Sequence, residues 1–257
     1  MDAQQFAPCN SPSIASRIPI FSPTRRPSVV EQWEAVTPWG NAIITGRLGQ
    51  QHRDLLDAAR QVAIEEQWTQ DGRLHLKLDP ARLRSALGGD SVNPRLVAEW
   101  IEDLRVAKVE LRIGNRVIVG GLIGEYELSS DPTILHSRPG AHGAERHYMR
   151  LSFSTAWSKL IEEDRMQCYP LAKVIQMKHG ISQAIARFCL SHREINDSIE
   201  GLMAKVGDSG RLRNRRRELA HDCELLAELG IKIEGDRVTR RAQTKPSKKG
   251  GGAGKVR

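Results

Sequence analysis

Residues 209–230, SGRLRNRRRELAHDCELLAELG, place five arginines within seven positions at the start of a run with helical periodicity. Ser209 or Gly210 can cap a helix here. Apolar residues recur on one side of that helix and predict its buried stripe: Leu212, Leu219, Cys223 and Leu226. The next residues, IKIEGDRVTR at 231–240, predict two short strands joined by a turn at Gly235-Asp236. The sequence therefore predicts a helix followed by a hairpin, with the arginines exposed.

Stability does not explain the arginine cluster. Like charges at helical spacing repel each other, and positive charge at a helix N-terminus opposes the helix macrodipole. Phosphate groups would relieve both effects, and arginine and asparagine side chains also pair with guanine and adenine edges in the major groove. The alternative is a solvated basic face, or one that pairs with Glu218 and Glu224. The residues predicted to contact nucleic acid on this helix are Arg211, Arg213, Asn214, Arg215, Arg216 and Arg217.

The hairpin after the helix continues the basic character. We interpret its cations as phosphate contacts, with a polar hairpin edge as the alternative; they are Lys232, Arg237, Arg240 and Arg241. Fifteen basic and seven acidic residues lie from Lys205 onward, and this surplus equals the whole formal charge of +8. Basicity is therefore a local feature, and it favours a polyanionic partner.

The upstream half of the chain predicts a compact unit of its own. An amphipathic helix is predicted over residues 49–68 and a strand over RLHLKL at 73–78. Asp79-Pro80 and Asn93-Pro94 each have the chemistry of an N-cap and a first helical position. Two strands about Gly114-Asn115 then predict a hairpin. Helix, strand, helix, helix, hairpin is the order of a winged helix.

The same order is predicted a second time. A strand over HYMRLSF at 147–153 and a short helix over 154–163 precede a long helix that begins at Pro170 and continues across Gly180. A capped short helix lies within 196–210, and the arginine-rich helix and its hairpin follow. We therefore predict an α+β fold of two tandem winged-helix domains, at 31–140 and 141–241. Disordered tails are predicted at 1–30, which includes SPTRRPS at 22–28, and at 242–257.

The first unit is a weaker candidate for reading DNA. Its third helix carries Glu99, Glu102 and Asp103, which phosphates would disfavour. Arg112 and Arg116 on its hairpin are predicted to touch a DNA backbone. The apolar residues of this unit predict a core, and they leave open an interface that pairs two copies.

Several classes of function are disfavoured. No stretch of 18 apolar residues predicts a membrane span, and no leader precedes the first unit, so a soluble cytoplasmic protein is expected. The four cysteines show no CxxC spacing, so reduced thiols are expected. No phosphate-binding loop is present, and no histidine pair with a tyrosine nucleophile predicts DNA nicking. We expect no enzyme activity, no cofactor and no metal site.

The layout resembles the plasmid replication initiators that bind iterons, of the TrfA and IncQ RepC types. The resemblance covers about residues 40–240 and is carried by three segments: RLVAEWIEDLRVAKVELRIGNRVIVGGLIGEYEL, YPLAKVIQMKHGISQAIARFCLSH and the basic helix with its hairpin GDRVTRR. It implies that the second domain reads direct repeats at an origin in the major groove. It also implies that the first domain serves dimerisation, that dimer and monomer are in equilibrium, and that host replication proteins are recruited in a bacterial cytoplasm, at the nucleoid or plasmid.

The leading hypothesis is thus a non-enzymatic, double-stranded DNA-binding initiator of plasmid replication. A winged-helix transcriptional repressor or partition-site protein is the nearest alternative. A protein-interaction module whose basic tail serves solubility or RNA binding is a more distant one.

Overall fold

The computed structural model describes residues 8–89, 92–128 and 148–241. The predicted α+β class is confirmed. The helices are α1 Ile14–Arg17, α2 Gln50–Val62, α3 Pro80–Ala86, α4 Pro94–Val106, α5 Thr155–Glu163, α6 Leu171–Gln176, α7 Gly180–Leu190, α8 Ile199–Lys205, α9 Leu212–His221 and α10 Cys223–Glu228. The strands are β1 Cys9–Pro12, β2 Val30–Thr37, β3 Gly40–Gly46, β4 Glu65–Trp68, β5 Leu74–Leu78, β6 Lys108–Ile113, β7 Arg116–Gly120, β8 Ile123–Leu128, β9 Met149–Phe153, β10 Met166–Tyr169, β11 Glu194–Ser198, β12 Ile231–Glu234 and β13 Arg237–Arg241. Within the described ranges, no helix is both long and apolar enough to cross a membrane.

The second unit contains α7, β11, α8, α9 with α10, then the hairpin β12–β13. Strand β11 was not predicted, and the long helix predicted from Pro170 across Gly180 is divided into α6 and α7. Its three strands form an antiparallel sheet in the order β11-β13-β12, in which Arg240 is opposite both Ile195 and Ile231. Leu219, Leu226 and Val238 are fully buried and join the helices to this sheet. The sheet and its buried contacts thus fix α9 as the third helix of the unit.

The arginine-rich helix is interrupted once. It begins after Arg211, which is the N-cap, rather than after Ser209 or Gly210, and it breaks at Asp222 between α9 and α10. The break shifts the helical phase, so Cys223 is exposed instead of belonging to the buried stripe. Leu219 and Leu226 are buried as predicted.

In the first unit, local capping chemistry behaves as predicted. The Asp79 carboxylate accepts a 2.8 Å hydrogen bond from the Ala81 N–H, and the Asn93 side chain accepts one of 2.9 Å from the Arg95 N–H. These bonds start α3 and α4 at their prolines. The helix predicted over 49–68 ends earlier, at Val62, because residues 65–68 pair with β5 as strand β4.

The hairpin β6–β7 is not the wing of the first unit. It pairs with β3 in a separate sheet of order β2-β3-β6-β7, whereas β5 pairs with β9 in the order β4-β5-β9-β8. Leu76 is opposite Leu151, so the sheet of the first unit needs a strand from beyond residue 140. The predicted division at 140/141 is therefore wrong. Residues 129–147, which connect β8 to β9, lie outside the described residues.

Most of the predicted N-terminal tail is part of the fold. Strand β1 pairs with β10, with Cys9 opposite Tyr169, and Ile18, Ile20 and Phe21 are buried. The prediction of a disordered tail is wrong for residues 8–30. The burial of the isoleucines and Phe21 orders this segment despite its high content of proline and serine. Residues 1–7 and the predicted tail at 242–257 lie outside the described residues.

A buried ionic network joins the two units. Arg187 of α7 donates to the Asp54 carboxylate of α2 at 2.5 Å and to the Gln50 side chain at 2.7 Å. The Tyr169 hydroxyl of β10 donates to the Asp57 carboxylate at 2.5 Å, and Arg53 pairs with the same carboxylate at 3.1 Å. Two buried arginines thus neutralise two buried aspartates, as buried charges require.

Candidate nucleic-acid interface

The first two turns of α9 present the predicted cationic face in part. Arg211, Arg213, Asn214 and Arg217 are exposed. None of these side chains forms an ion pair or hydrogen bond with another residue in the part of the chain that the structure describes. Three guanidinium groups and one amide are therefore available on one helix end for a ligand in solvent.

Arg215 has a different role from the one predicted. Its side chain is only 22% exposed, and it forms ion pairs of 2.7 Å with both Asp208 and Glu218. The hydrogen bond to Asp208 is the main reason that the pKa of Arg215 is raised. Asp208 is 4% exposed and lies in the turn before α9. Arg215 thus anchors that turn to the helix, and these two ion pairs do not favour its predicted role as a groove-reading residue.

Arg216 joins the helix to the hairpin. Its guanidinium lies 2.9 Å from the carboxylate of Asp236 in the β12–β13 turn, with side-chain exposures of 50% and 46%. Exposed pairs of this kind contribute about 0–1 kcal/mol, so a phosphate group can compete for Arg216.

The four cationic side chains of the hairpin also differ in whether they have partners within the protein. Lys232 is exposed without an ion-pair partner among the described residues. Arg237 donates to the Asn196 side chain at 2.7 Å, and Arg241 pairs with Glu194 at 3.1 Å in an exposed contact. Arg240 instead donates to the carbonyl oxygens of Cys189 and His192. Burial lowers the pKa of Arg240. Its two carbonyl partners assign this side chain to the packing of the sheet on α7, which does not favour the predicted phosphate contact.

Arg112 and Arg116 lie in the sheet β2-β3-β6-β7, not in the sheet of the second unit. Arg112 pairs with Glu110 at 2.7 Å. Arg116 pairs with Glu163 of α5, and that hydrogen bond is the main reason that the pKa of Arg116 is raised. Both arginines have carboxylate partners, and they belong to a different sheet from the hairpin β12–β13.

His179, His221 and Asp222 form the one cluster of possible metal ligands among the described residues. The buried Asp222 carboxylate accepts hydrogen bonds from the backbone N–H groups of Lys178 and His179 at 3.1 and 3.2 Å, and from the His179 ring at 3.0 Å. Burial raises the pKa of Asp222, but hydrogen bonds to its carboxylate outweigh burial, so the pKa is lowered. Through these bonds the carboxylate links the segment between α6 and α7 to the point where α9 ends and α10 begins.

The sequence interpretation missed a basic segment at residues 22–28, here called the strap. Arg25 of the strap donates to the carbonyl oxygens of Ile175 and Met177 at 3.3 and 3.2 Å. Adjacent arginines between two prolines were the available signal, but the composition of the segment favoured a tail.

No protein-family model matches the chain, and no curated protein matches it in sequence. Solved structures do match. A crystal structure of the SeMet derivative of RctB domains 2 and 3 has a TM-score of 0.61 and 13% identity, over 91% of this chain and 99% of that one. A second crystal structure of RctB domains 2-3 has a TM-score of 0.52 and 12% identity, over 88% and 94%. At these identities the likeness shows a shared fold.

Proposed function

We propose that this chain is a non-enzymatic replication initiator that binds direct repeats at a plasmid origin through α9. Two solved structures of RctB domains 2 and 3 share the fold of this chain. The resemblance of the basic helix and its hairpin to those of iteron-binding initiators supports this function.

The observation that carries the proposal is the exposed face of α9. Arg211, Arg213 and Arg217 have no carboxylate partner among the described residues, although Arg215 and Arg216 beside them do. In a helix-turn-helix unit, the N-terminal residues of the third helix approach base edges while neighbouring residues hold phosphates. Duplex DNA would supply the negative charge that the protein does not supply to these three groups. Arg216 and Lys232 extend the same proposed contact.

The proposal includes an equilibrium between homodimer and monomer, with the first unit forming the dimer and host replication proteins recruited in the bacterial cytoplasm. Exposed apolar side chains on the edge strand β7 support a protein contact there, since Val117 and Val119 are 61% and 51% exposed. Unpaired strand edges with apolar residues favour pairing with another chain.

Footprinting on the DNA that flanks the gene tests the function. Protection of several evenly spaced direct repeats is expected. Protection of a single inverted repeat would indicate a repressor or partition-site protein instead. Absence of any protected sequence would overturn the DNA-binding proposal.

The double variant Arg213→Ala/Arg217→Ala tests the assignment to α9. Each lost bidentate base contact is expected to weaken specific binding by about 1–3 kcal/mol. The charge-matched control is Arg73→Ala/Arg105→Ala, which removes a partly exposed arginine paired with Asp71 and an exposed arginine paired with Glu102. Equal losses in the two variants would show that only net charge matters and would remove α9 from the interface.

A further inference from the structure

A groove of about 560 Å³ lies between the two units. Gln51 of α2 and Trp100 of α4 line it from the first unit, and Lys178 and Arg215 line it from the second. The strap contributes Arg25 and Arg26 to the same groove. The third helices of both units, α4 and α9, therefore border one concave surface.

The groove carries more positive charge than the protein neutralises. Arg215 is compensated by Asp208 and Glu218. Arg25 donates only to carbonyl oxygens, which carry no net charge. Arg26 and Lys178 are exposed, and neither forms an ion pair with any residue that the structure describes. A concave surface with surplus cations concentrates anions.

Gln51 gives a second and independent sign of a ligand. Its side chain is 6% exposed, it lines the groove, and its amide oxygen is buried without a hydrogen-bond partner. Buried polar groups are nearly always paired, so an unpaired one in a groove points to a missing partner. Rotation of the amide exchanges its oxygen and nitrogen without changing its shape, and the NH₂ group can then donate to an anionic oxygen.

The strap is held in place before any ligand arrives. The Gln50 N–H donates to the Thr24 carbonyl oxygen at 2.9 Å. A Cβ atom at Gly49 would lie 2.6 Å from that same oxygen, and one at Gly180 would lie 2.5 Å from the Thr24 Cα. The backbones of α2 and α7 thus approach the strap so closely that only glycine fits. Such preorganisation reduces the entropy lost on binding.

We propose that this groove binds the phosphodiester backbone of the duplex that α9 reads, with Arg26, Lys178 and the Gln51 amide as the phosphate ligands. This inference rests on the proposed function. It adds a sequence-independent contact between the two units, so one duplex would lie across the strap and α9.

The test is the salt dependence of DNA binding by Arg26→Ala/Lys178→Ala, measured by fluorescence anisotropy with the footprinted duplex and with a duplex of arbitrary sequence. Each lost phosphate contact reduces the slope of log K against log salt by about 0.9, so a reduction of about 1.8 is expected with both duplexes. The preference for the footprinted sequence is expected to stay at the wild-type value. Arg73→Ala/Arg105→Ala serves as the charge-matched control and is expected to keep the wild-type slope.

A slope equal to that of the wild type would overturn the groove proposal, while loss of binding in Arg213→Ala/Arg217→Ala would still support α9. An equal reduction in the control variant would also overturn it, because the effect would then belong to net charge. A wild-type protein that binds neither duplex would overturn the proposed function itself.

Discussion

The guanidinium group of Arg187 in α7 and the carboxylate of Asp54 in α2 form an ion pair of 2.5 Å in which each side chain is only 3% exposed. The pair crosses from the second unit to the first. Because both charges are removed from water, each depends on the other for its stability in the interior.

Replacement of Arg187 by methionine is expected to lower the free energy of unfolding by about 3–5 kcal/mol, because Asp54 would remain as an uncompensated buried charge. Urea denaturation measures the change. Arg73→Ala removes a partly exposed arginine that pairs with the exposed Asp71, and it should change stability by no more than about 1 kcal/mol. Similar values for the two variants would show that the Arg187 pair contributes no more than a surface contact.

His52 predicts a loss of stability at mildly acidic pH. Its Nδ1 accepts a hydrogen bond from the Gly49 N–H at 3.0 Å, and its Nε2 lies 3.0 Å from the Asp103 carboxylate. Burial lowers the pKa of His52 below its usual value of 6.5. The unfolded state therefore binds more protons below about pH 6.5, so stability is present above that pH and lost as the pH falls.

Urea denaturation between pH 8 and pH 5 measures this effect, and His52→Gln is expected to show a weaker pH dependence. Some dependence should remain, since burial also lowers the pKa values of His75 and His192. If the free energy of unfolding depends on pH equally in the wild type and in His52→Gln, the assignment to His52 is contradicted.

Arg215 and Arg216 are neighbours with different expected effects. Arg215→Ala leaves the 4% exposed Asp208 without its ion pair and is expected to destabilise the protein by about 1–3 kcal/mol. Arg216→Ala removes an exposed pair, so a change of no more than about 1 kcal/mol is expected. Thermal unfolding distinguishes them, and equal shifts would show that Arg215 does not anchor the turn before α9.

Gly180→Ala tests the close packing of the strap against the start of α7. The added Cβ would meet the Thr24 backbone at 2.5 Å, so the strap has to move, with an expected destabilisation of about 1–3 kcal/mol. Faster trypsin cleavage after Arg25 should accompany it. At Gly124 the nearest atom to an added Cβ lies at 3.6 Å, which makes Gly124→Ala the matched control. Cleavage as slow as in that control would contradict the close packing of the strap.

Local chemistry predicted the elements whose signals lie in a few adjacent residues. Asp79-Pro80 and Asn93-Pro94 start helices, and Gly235-Asp236 forms the turn of a hairpin, because capping and turn geometry depend on the residues themselves. The arginine-rich helix and the hairpin of the second unit were therefore predictable, whereas strand β11 was not.

The errors arose where a distant residue decides the structure. Asp222 takes the N–H groups of Lys178 and His179, which ends the helix predicted to run across Gly180. Asp208 turns Arg215 from a predicted DNA contact into an anchor. The hairpin β6–β7 was predicted as the wing of the first unit, although β6 pairs with β3. The spacing of residues along the chain does not show which two strands pair with each other.

The pairing of β1 with β10 also constrains how the chain acquires its fold during synthesis. The Ser13 hydroxyl meets the Asp164 carboxylate across 151 residues of sequence. Strand β1 thus has no strand partner until residues 166–169 have been translated, and contacts of such high sequence separation slow folding. Residues 9–12 must stay without their strand partner throughout that interval.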